Sequence, residues 1–165
     1  MVVKSTAGAK QSTLKEKSST PLFRPKGTLF RVLDANLNRA REGLRVCEEV
    51  ARMLLEDVTL TRRCQRFRYA LNAAASSLPA SSLLNSRNSS QDVGRPSRRG
   101  LIRPHHKILD LVQANMRRVQ EALRVLEEFT RLEFPEASYA FGGLRFRAYT
   151  LEQTFHSKLP TVRHH

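Results

Sequence analysis

The chain has 165 residues, of which 40% are hydrophobic and 27% charged, a composition typical of one folded domain. Lysine and arginine number 29 against 15 acidic residues, so the net charge is +14. Such a charge indicates anionic partners, namely phosphorylated small molecules, nucleic acid or anionic membrane surfaces. Cys47 and Cys64 lack the spacing of a metal site or redox pair, which favours a reducing, cytoplasmic location. No run of about 18 apolar residues is present, so we expect no transmembrane helix.

The first predicted helix follows a basic stretch, residues 1–26, which shows no hydrophobic period and is predicted to be a disordered tail. Thr28 is predicted to be the N-cap of this helix, which continues to about Glu56. Its apolar residues recur at alternating spacings of three and four, as in a helix with one buried face. They are Leu33, Leu37, Ala40, Leu44, Cys47, Ala51 and Leu54. A second helix is predicted from about Leu60 to Ser76, with Phe67 and Leu71 on its apolar side.

A long connecting loop is predicted at residues 78–104, where Ser, Pro, Gly and Arg dominate. The third predicted helix begins near Pro104, because proline suits the first helical position, and continues to about Glu133. Pro135 is predicted to open a fourth helix that continues to about Lys158. The sequence therefore predicts four helices in two pairs.

An internal repeat relates the two pairs. Residues 33–53 match residues 112–132 without gaps at an offset of 79 residues, with ten identities in 21 positions. The tripeptide Arg-Phe-Arg recurs at 66–68 and 145–147 with the same offset, which predicts that the duplicated unit is a whole helical hairpin. The identical pairs are Ala35/Ala114, Asn36/Asn115, Arg39/Arg118, Glu42/Glu121, Leu44/Leu123, Arg45/Arg124, Val46/Val125, Glu48/Glu127, Glu49/Glu128 and Arg52/Arg131.

The repeat predicts an all-α fold that resembles a four-helix bundle. Each hairpin has one apolar face that it cannot bury alone, and two equivalent hairpins commonly pack about a pseudo-two-fold axis. We expect a single helical domain at residues 27–158, with repeat one at 29–77, repeat two at 105–158 and a tail at 159–165. A near two-fold rotation is expected to superpose the two repeats.

The polar identities of the repeat mark a candidate site. A shared core requires only a repeated apolar stripe, yet six of the ten identities are charged and one is asparagine. Successive residues of an α-helix are rotated by about 100°, which places one set of polar residues on one flank of the apolar stripe and a second set on the opposite flank. The first set is Asn36, Arg39 and Glu42, and the second is Arg45, Glu48 and Arg52.

Salt bridging and common descent are the alternative explanation for these identities. Arg45 can pair with Glu49, and Glu48 with Arg52, each at a spacing of four residues. Site and structural roles are equally supported for Asn36/Asn115, Arg39/Arg118 and Glu42/Glu121. Surface pairing is favoured for Glu48/Glu127 and Arg52/Arg131.

A second candidate region is the loop LLNSRNSSQDVGRP, residues 83–96, which has no counterpart in the repeat. Arg87 can form a fork to a phosphate, Asp92 can hold Mg²⁺ beside substrate phosphates, and Gly94 adds flexibility. A solvated turn explains the same residues, and the loop sequence alone favours that explanation.

Several strings in the chain resemble a known family: LDANLNRAREGLRVCEEVAR, RNSSQDVGRP, QANMRRVQEALRVLEEFTR and LRFRAYTLEQ. They are similar to the monofunctional hydroxymethylpyrimidine-phosphate kinases of thiamine biosynthesis, helical domains often fused ahead of thiamine-phosphate synthase. The resemblance covers about residues 29–158. It implies ATP-dependent phosphorylation of 4-amino-5-hydroxymethyl-2-methylpyrimidine phosphate to the diphosphate, with ATP and Mg²⁺.

The chain departs from this family in two ways. No synthase barrel follows the helical domain, so a stand-alone form is expected. Asn88 stands where the family loop commonly has an aspartate after its arginine, which leaves Asp92 as the metal candidate.

The implied reaction suggests roles for the candidate residues. Its nucleophile is a phosphate oxygen that is already anionic, so the enzyme must mainly position two polyanions and neutralise their charge. The resemblance and the repeat together assign phosphate clamping to Arg39, Arg45, Arg118 and Arg124, and Mg²⁺ binding or arginine orientation to Glu42 and Glu121. Substrate binding is assigned to Asn36, Asn115, Arg87, Asp92 and Gly94.

Two other functions remain open at this point. The net charge suggests a nucleic-acid-binding helical module, although Arg and Glu alternate along the helices and no known binding motif is present. The chain could also be a noncatalytic partner of thiamine-phosphate synthase. The sequence leaves the oligomeric state undetermined.

Any binding of nucleic acid is expected to be nonspecific and driven by the basic tails. Removing residues 1–26 should weaken binding to duplex DNA, and affinity should fall steeply as salt rises, because such binding releases counterions. Tight, sequence-selective binding by both the full and the shortened chain at physiological salt would instead favour the nucleic-acid module.

Overall fold

The fold of the chain is all-α, as predicted. The structure is a computed structural model that describes residues 27–88, 90 and 104–159, and no strand occurs in these ranges. Helix α1 spans Gly27–Glu49 and continues into one π-helical turn, Val50–Leu54. The other helices are α2 (Val58–Ala75), α3 (Ala80–Asn85), α4 (Ile108–Thr130) and α5 (Pro135–Lys158). The predicted tail 1–26, residues 160–165, Asp92 and Gly94 lie outside the described residues, whereas Leu159, which was predicted to belong to the second tail, is buried in the core.

The four long helices pack in a ring. Helix α1 contacts α4, α4 contacts α5, α5 contacts α2, and α2 contacts α1, while the short α3 packs against α1. The predicted apolar stripe of α1 is buried from Leu33 to Ala51, and Phe67 and Leu71 of α2 are buried with it. Within the described ranges, no helix has the length and apolar character needed to cross a membrane.

Several predicted boundaries are wrong. Thr28 lies inside the first turn of α1 rather than at its N-cap, and α4 begins after Lys107, so Pro104 precedes it. The predicted loop 78–104 contains α3, because Leu78 and Leu83 bury apolar side chains against the core. Pro135 does open α5, as predicted.

Leu54 was expected in the apolar stripe but is exposed. The π-helical turn explains the difference, because its wider hydrogen-bonding pattern advances the backbone by an extra residue and rotates the following side chains away from the core. Two residues later Glu56 has a φ of 46°, in the left-handed region, where the chain turns toward α2.

The second helices of the two repeats correspond at an offset of 77 residues, not 79. Their N-cap residues, Asp57 and Phe134, differ by 134 − 57 = 77. The same offset relates the buried residues Leu60/Ala137, Cys64/Phe141, Phe67/Leu144 and Leu71/Ala148. The Arg-Phe-Arg match therefore pairs non-equivalent positions: Phe67 is 2% exposed and Phe146 is 64% exposed. The two-fold rotation stays a prediction. Equivalent residues are 79 positions apart for α1 and α4, and 77 positions apart for α2 and α5.

Gly43 allows α1 and α4 to approach closely. A Cβ atom at this position would lie 2.9 Å from the backbone oxygen of Asn115 and 2.9 Å from Cγ2 of Val119. Both distances are shorter than a van der Waals contact, and the Asn115 backbone cannot rotate away as a flexible side chain could. The close packing of α1 against α4 therefore requires glycine at this point.

Substituting alanine for Gly43 should lower the free energy of unfolding by about 1–2 kcal/mol, because overpacking outweighs the gain in helix propensity. Gly143→Ala is the matched control, since a Cβ there meets nothing within 4 Å. The control should raise stability by about 0.5–1 kcal/mol. Urea denaturation of both variants measures the difference. Equal stabilisation by both would show that α1 and α4 accommodate the added methyl group without a loss of stability.

Candidate anion-binding site

Two buried asparagines hold two exposed arginines in the same way on α1 and α4. Asn36 is 5% exposed and Asn115 is 3% exposed. Each donates its Nδ2–H to the backbone carbonyl four residues earlier, at 2.8 Å. Arg39 Nη1 then lies 3.5 Å from Oδ1 of Asn36, and Arg118 Nη1 lies 3.4 Å from Oδ1 of Asn115. The amide orientation is thereby fixed, with the oxygen directed at the guanidinium.

We call the two Asn–Arg pairs, Asn36 with Arg39 and Asn115 with Arg118, the α1–α4 seam, because they lie on two helices that contact each other. Gly43 approaches Asn115, and Cys47 Sγ lies 3.9 Å from the carbonyl oxygen of Val112, so the two helices run antiparallel. The opposite flank of α1 faces α2. There Arg41 Nε donates to Asn72 Oδ1 at 3.1 Å.

Glu42 and Glu121 also occupy exposed positions on α1 and α4. Among the described residues, neither carboxylate has an ion pair. Carboxylate oxygens are the ligands that Mg²⁺ prefers, so their chemistry fits the predicted role. The described residues contain no group of three or more His, Cys, Asp or Glu side chains that could hold a metal ion.

Arg45 and Arg124 form ion pairs along their own helices. Arg45 lies 3.4 Å from Glu48 and 2.9 Å from Glu49, which confirms the predicted Arg45–Glu49 pair. Arg124 makes the equivalent contacts, at 3.4 Å and 2.8 Å. About half of each arginine side chain is exposed, and two carboxylates offset its charge. At the α1–α4 seam, by contrast, neutral amides hold Arg39 and Arg118.

The predicted Glu48–Arg52 surface pair is absent from the structure, whereas its counterpart in the second repeat, Glu127–Arg131, is present at 3.6 Å. Glu48 is only 3% exposed, and Arg68 of α2 approaches its carboxylate at 2.8 Å. Arg52 pairs with Glu49 instead, at 2.7 Å. The repeated Glu48 therefore joins the helices of its hairpin, and intrahelical spacing could not reveal a partner 20 residues away.

Glu127 joins the second hairpin in the same way. Its carboxylate accepts a hydrogen bond from Arg145 Nε at 2.9 Å. Burial alone would raise the pKa of Glu127, but the hydrogen bonds and charges of Arg145 and Arg124 together outweigh it and hold this pKa below its usual value. Arg145 corresponds to Arg68 at the offset of 77 residues, so the two interhelical pairs are equivalent.

Arg87 anchors the start of the candidate loop to α1. Its Nε and Nη2 atoms donate to the two carboxylate oxygens of Asp34 at 2.7 and 2.9 Å, and Asp34 is 6% exposed. This hydrogen bonding raises the pKa of Arg87. Arg31 Nη2 also donates to the backbone oxygen of Asn88 at 3.2 Å. The sequence did not reveal Asp34 as the partner, because Gln113 replaces it in the second repeat and 53 residues separate it from Arg87.

The two thiols are structural. Cys47 and Cys64 are buried and free, and burial raises the pKa of each to about 12. Both thiols therefore stay protonated at neutral pH and unreactive as nucleophiles, in agreement with the predicted core position of Cys47.

Curated relatives associate this helical domain with thiamine biosynthesis. Three of them are named thiamine-phosphate synthase. The Synechocystis sp. protein is 42% identical over 124 residues, covering 75% of this chain and 35% of the relative. The Thermosynechococcus vestitus protein is 42% identical over 125 residues, which cover 76% of this chain and 34% of the relative. The Rhodopirellula baltica protein is 35% identical over 122 residues, which cover 74% of this chain and 32% of the relative. The chain thus spans about a third of the length of these relatives.

The family model named the ThiD2 family matches residues 31–154. The match covers most of the chain and includes both repeats, so the chain belongs to the ThiD2 family. No solved structure matches the chain significantly.

Proposed function

We propose that this protein phosphorylates 4-amino-5-hydroxymethyl-2-methylpyrimidine phosphate to the diphosphate, with ATP as phosphoryl donor. The observation that carries the proposal is the repeated Asn–Arg pair at the α1–α4 seam. It presents two guanidinium groups that contact only neutral partners within the described residues, which leaves their charge free for phosphorylated ligands. Membership of the ThiD2 family, and relatives named for a thiamine phosphate, support the choice of substrate class.

In this reaction a substrate phosphate oxygen attacks the terminal phosphorus of ATP. A new P–O bond forms, the bond to the ADP oxygen breaks, and ADP leaves with the bonding electron pair. The attacking oxygen is already anionic, so the chain has no need of a strong general base. Arg39 and Arg118 would neutralise the charge of the two phosphates and align them, while Asn36 and Asn115 hold the guanidinium groups in place.

Mg²⁺ bound at carboxylates would supply further charge neutralisation on the transferred phosphoryl group. Glu42, Glu121 and Asp92 are the proposed ligands, and Asp92 lies outside the described residues. Arg87 fixes the segment that precedes Asp92, so it is proposed to position this loop, and Gly94 is proposed to give it flexibility. Arg45 and Arg124 remain proposed clamps that must exchange a carboxylate partner for phosphate.

The purified chain, incubated with ATP, Mg²⁺ and the pyrimidine phosphate, should form the diphosphate and ADP in equal amounts. Ion-exchange chromatography and phosphorus NMR detect both products. The same pyrimidine without its phosphate is the control and should not be phosphorylated, because one of the two anionic groups is missing. Absence of the diphosphate with folded, monodisperse protein would contradict the kinase.

A second candidate is a partner of thiamine-phosphate synthase, favoured because the matched relatives are named for that enzyme and the matched segment makes up only about a third of their length. Adding the chain to a synthase that lacks such a domain would then raise its activity even when ATP is absent. Stimulation without ATP supports the partner, and diphosphate formation without a synthase supports the kinase.

A further inference from the structure

A cavity between α2 and α5 lies on the opposite side of the ring from the α1–α4 seam. Its volume is about 250 Å³, several times that of a water molecule, which occupies about 30 Å³ in the liquid. Arginines from both helices line it, together with an apolar wall and a hydroxyl group. The lining residues are Arg63, Arg66, Phe67, Arg147, Thr150 and Leu151.

The three arginines of this cavity have no carboxylate partner among the described residues. Within the described residues, none of them forms an ion pair with a carboxylate, although seven other arginines do. Neutral groups hold two of the three in place. Arg63 Nη1 donates to Thr154 Oγ1 at 3.1 Å, and the Arg147 guanidinium lies 5.4 Å from the centre of the Phe67 ring. Three exposed guanidinium groups thus line one pocket, and no carboxylate in the described part of the chain pairs with them.

Duplication does not explain this cluster. At the offset of 77 residues, Arg63 and Arg66 of α2 correspond to Ala140 and Gly143 of α5, and Arg147 corresponds to Ala70 of α2. The equivalent positions in the other repeat therefore carry small uncharged residues. The cluster occurs once, unlike the matched arginines of α1 and α4, so inheritance from a common hairpin cannot account for it.

We propose that this cavity binds the diphosphate or triphosphate group of a small anionic ligand. Each guanidinium can form a fork to phosphate oxygens, and Thr150 adds a hydroxyl donor. A monophosphate carries about −1.5 to −2 at neutral pH, which leaves part of the three positive charges unbalanced. A diphosphate carries more charge and spans more of the cavity. The site is separate from the α1–α4 seam and stands whether or not the chain is a kinase.

Calorimetric titration of the full chain with inorganic pyrophosphate, at physiological salt and with no other substrate, tests the proposal. The binding step that depends on Arg66 should take up one pyrophosphate per chain, at least about tenfold more tightly than it takes up orthophosphate. Arg66→Gln and Arg147→Gln should each weaken pyrophosphate binding by about tenfold or more, because each removes a charge-assisted contact. ADP is a second probe: tighter binding than pyrophosphate identifies a nucleotide as the source of the diphosphate, and equal binding identifies the diphosphate group alone.

Arg62→Gln is the matched control, because Arg62 is exposed on the same helix and does not line the cavity. It should leave the pyrophosphate affinity within about twofold of the wild-type value, since distant exposed charges are screened by salt. Thermal unfolding shows whether each variant is folded. If Arg147→Gln is destabilised because it loses the contact to Phe67, the pyrophosphate affinity of Arg66→Gln still tests the proposal. Equal losses in Arg62→Gln and Arg66→Gln, or equal affinities for pyrophosphate and orthophosphate, would overturn the proposal.

Discussion

Replacing Arg39 or Arg118 by glutamine is expected to lower the turnover of the pyrimidine phosphate by about a hundredfold. A donor aimed at charge that develops in the transition state contributes several kcal/mol once the bound substrates exclude water, and neither arginine has a carboxylate partner among the described residues to offset its charge. Stability should change little, because both guanidinium groups are exposed and make only one long hydrogen bond each. Turnover at saturating ATP and the thermal midpoint of each variant measure the two effects.

Arg52→Gln is the matched control for this experiment. Arg52 is an exposed arginine of the same repeat that pairs with Glu49 on its own helix, so near-normal turnover is expected. If Arg39→Gln, Arg118→Gln and Arg52→Gln all behave alike, the α1–α4 seam has no part in phosphoryl transfer.

The same turnover assay decides the role of Arg45 and Arg124, which lie on the flank of the apolar stripe opposite Arg39 and Arg118. As phosphate clamps, Arg45 and Arg124 should each lower turnover by orders of magnitude when changed to alanine, with little loss of stability. As structural pairs of Glu49 and Glu128 they should behave like Arg52→Ala. Near-normal turnover in Arg45→Ala would assign these arginines to helix stabilisation and direct attention to the loop that Arg87 anchors.

Glu48→Ala is expected to lower the free energy of unfolding by about 3 kcal/mol. The Glu48 carboxylate is buried between α1 and α2, and its loss leaves the Arg68 guanidinium, which is mostly buried, without its counter-charge. It also leaves a cavity where the side chain packed. The large effect follows from burial rather than from the number of ion pairs.

Glu49→Ala provides the comparison, because it removes the next carboxylate along the same helix. Glu49 is more than a third exposed and its partners are exposed arginines, so water replaces the lost pairs and stability should change little. Urea denaturation of both variants and the wild-type chain measures the difference. Similar losses in the two variants would mean that the Glu48–Arg68 pair contributes no more than a surface pair.

Local spacing predicted the parts of the structure that depend on neighbours along the chain. The period of the apolar residues identified α1, the repeat extended that prediction to α4, and Pro135 marked the start of α5. The four-residue spacing identified the Arg45–Glu49 pair. Seven polar identities drew attention to the asparagines and arginines of α1 and α4 before their contacts were known.

Features that depend on distant residues could not be predicted in this way. The partner of Arg87 is 53 residues away, and the partner of Glu48 is 20 residues away on another helix. Arg63 of α2 and Arg147 of α5 line the same cavity, and neither is among the ten identities that relate residues 33–53 to residues 112–132. A repeat detects what two halves share, so it cannot detect a site to which the halves contribute different residues.

The extra two residues between α1 and α2 have a consequence for protein engineering. A symmetric version of this protein, built from one hairpin copied twice, cannot be designed by shifting the whole sequence by a single number. Side chains of α4 must be taken from α1 at one offset and those of α5 from α2 at another, with the π-helical turn and Glu56 replaced by the shorter α4–α5 connection. A designer who used 79 throughout would place the equivalent of Phe67 in solvent and leave a hole in the core.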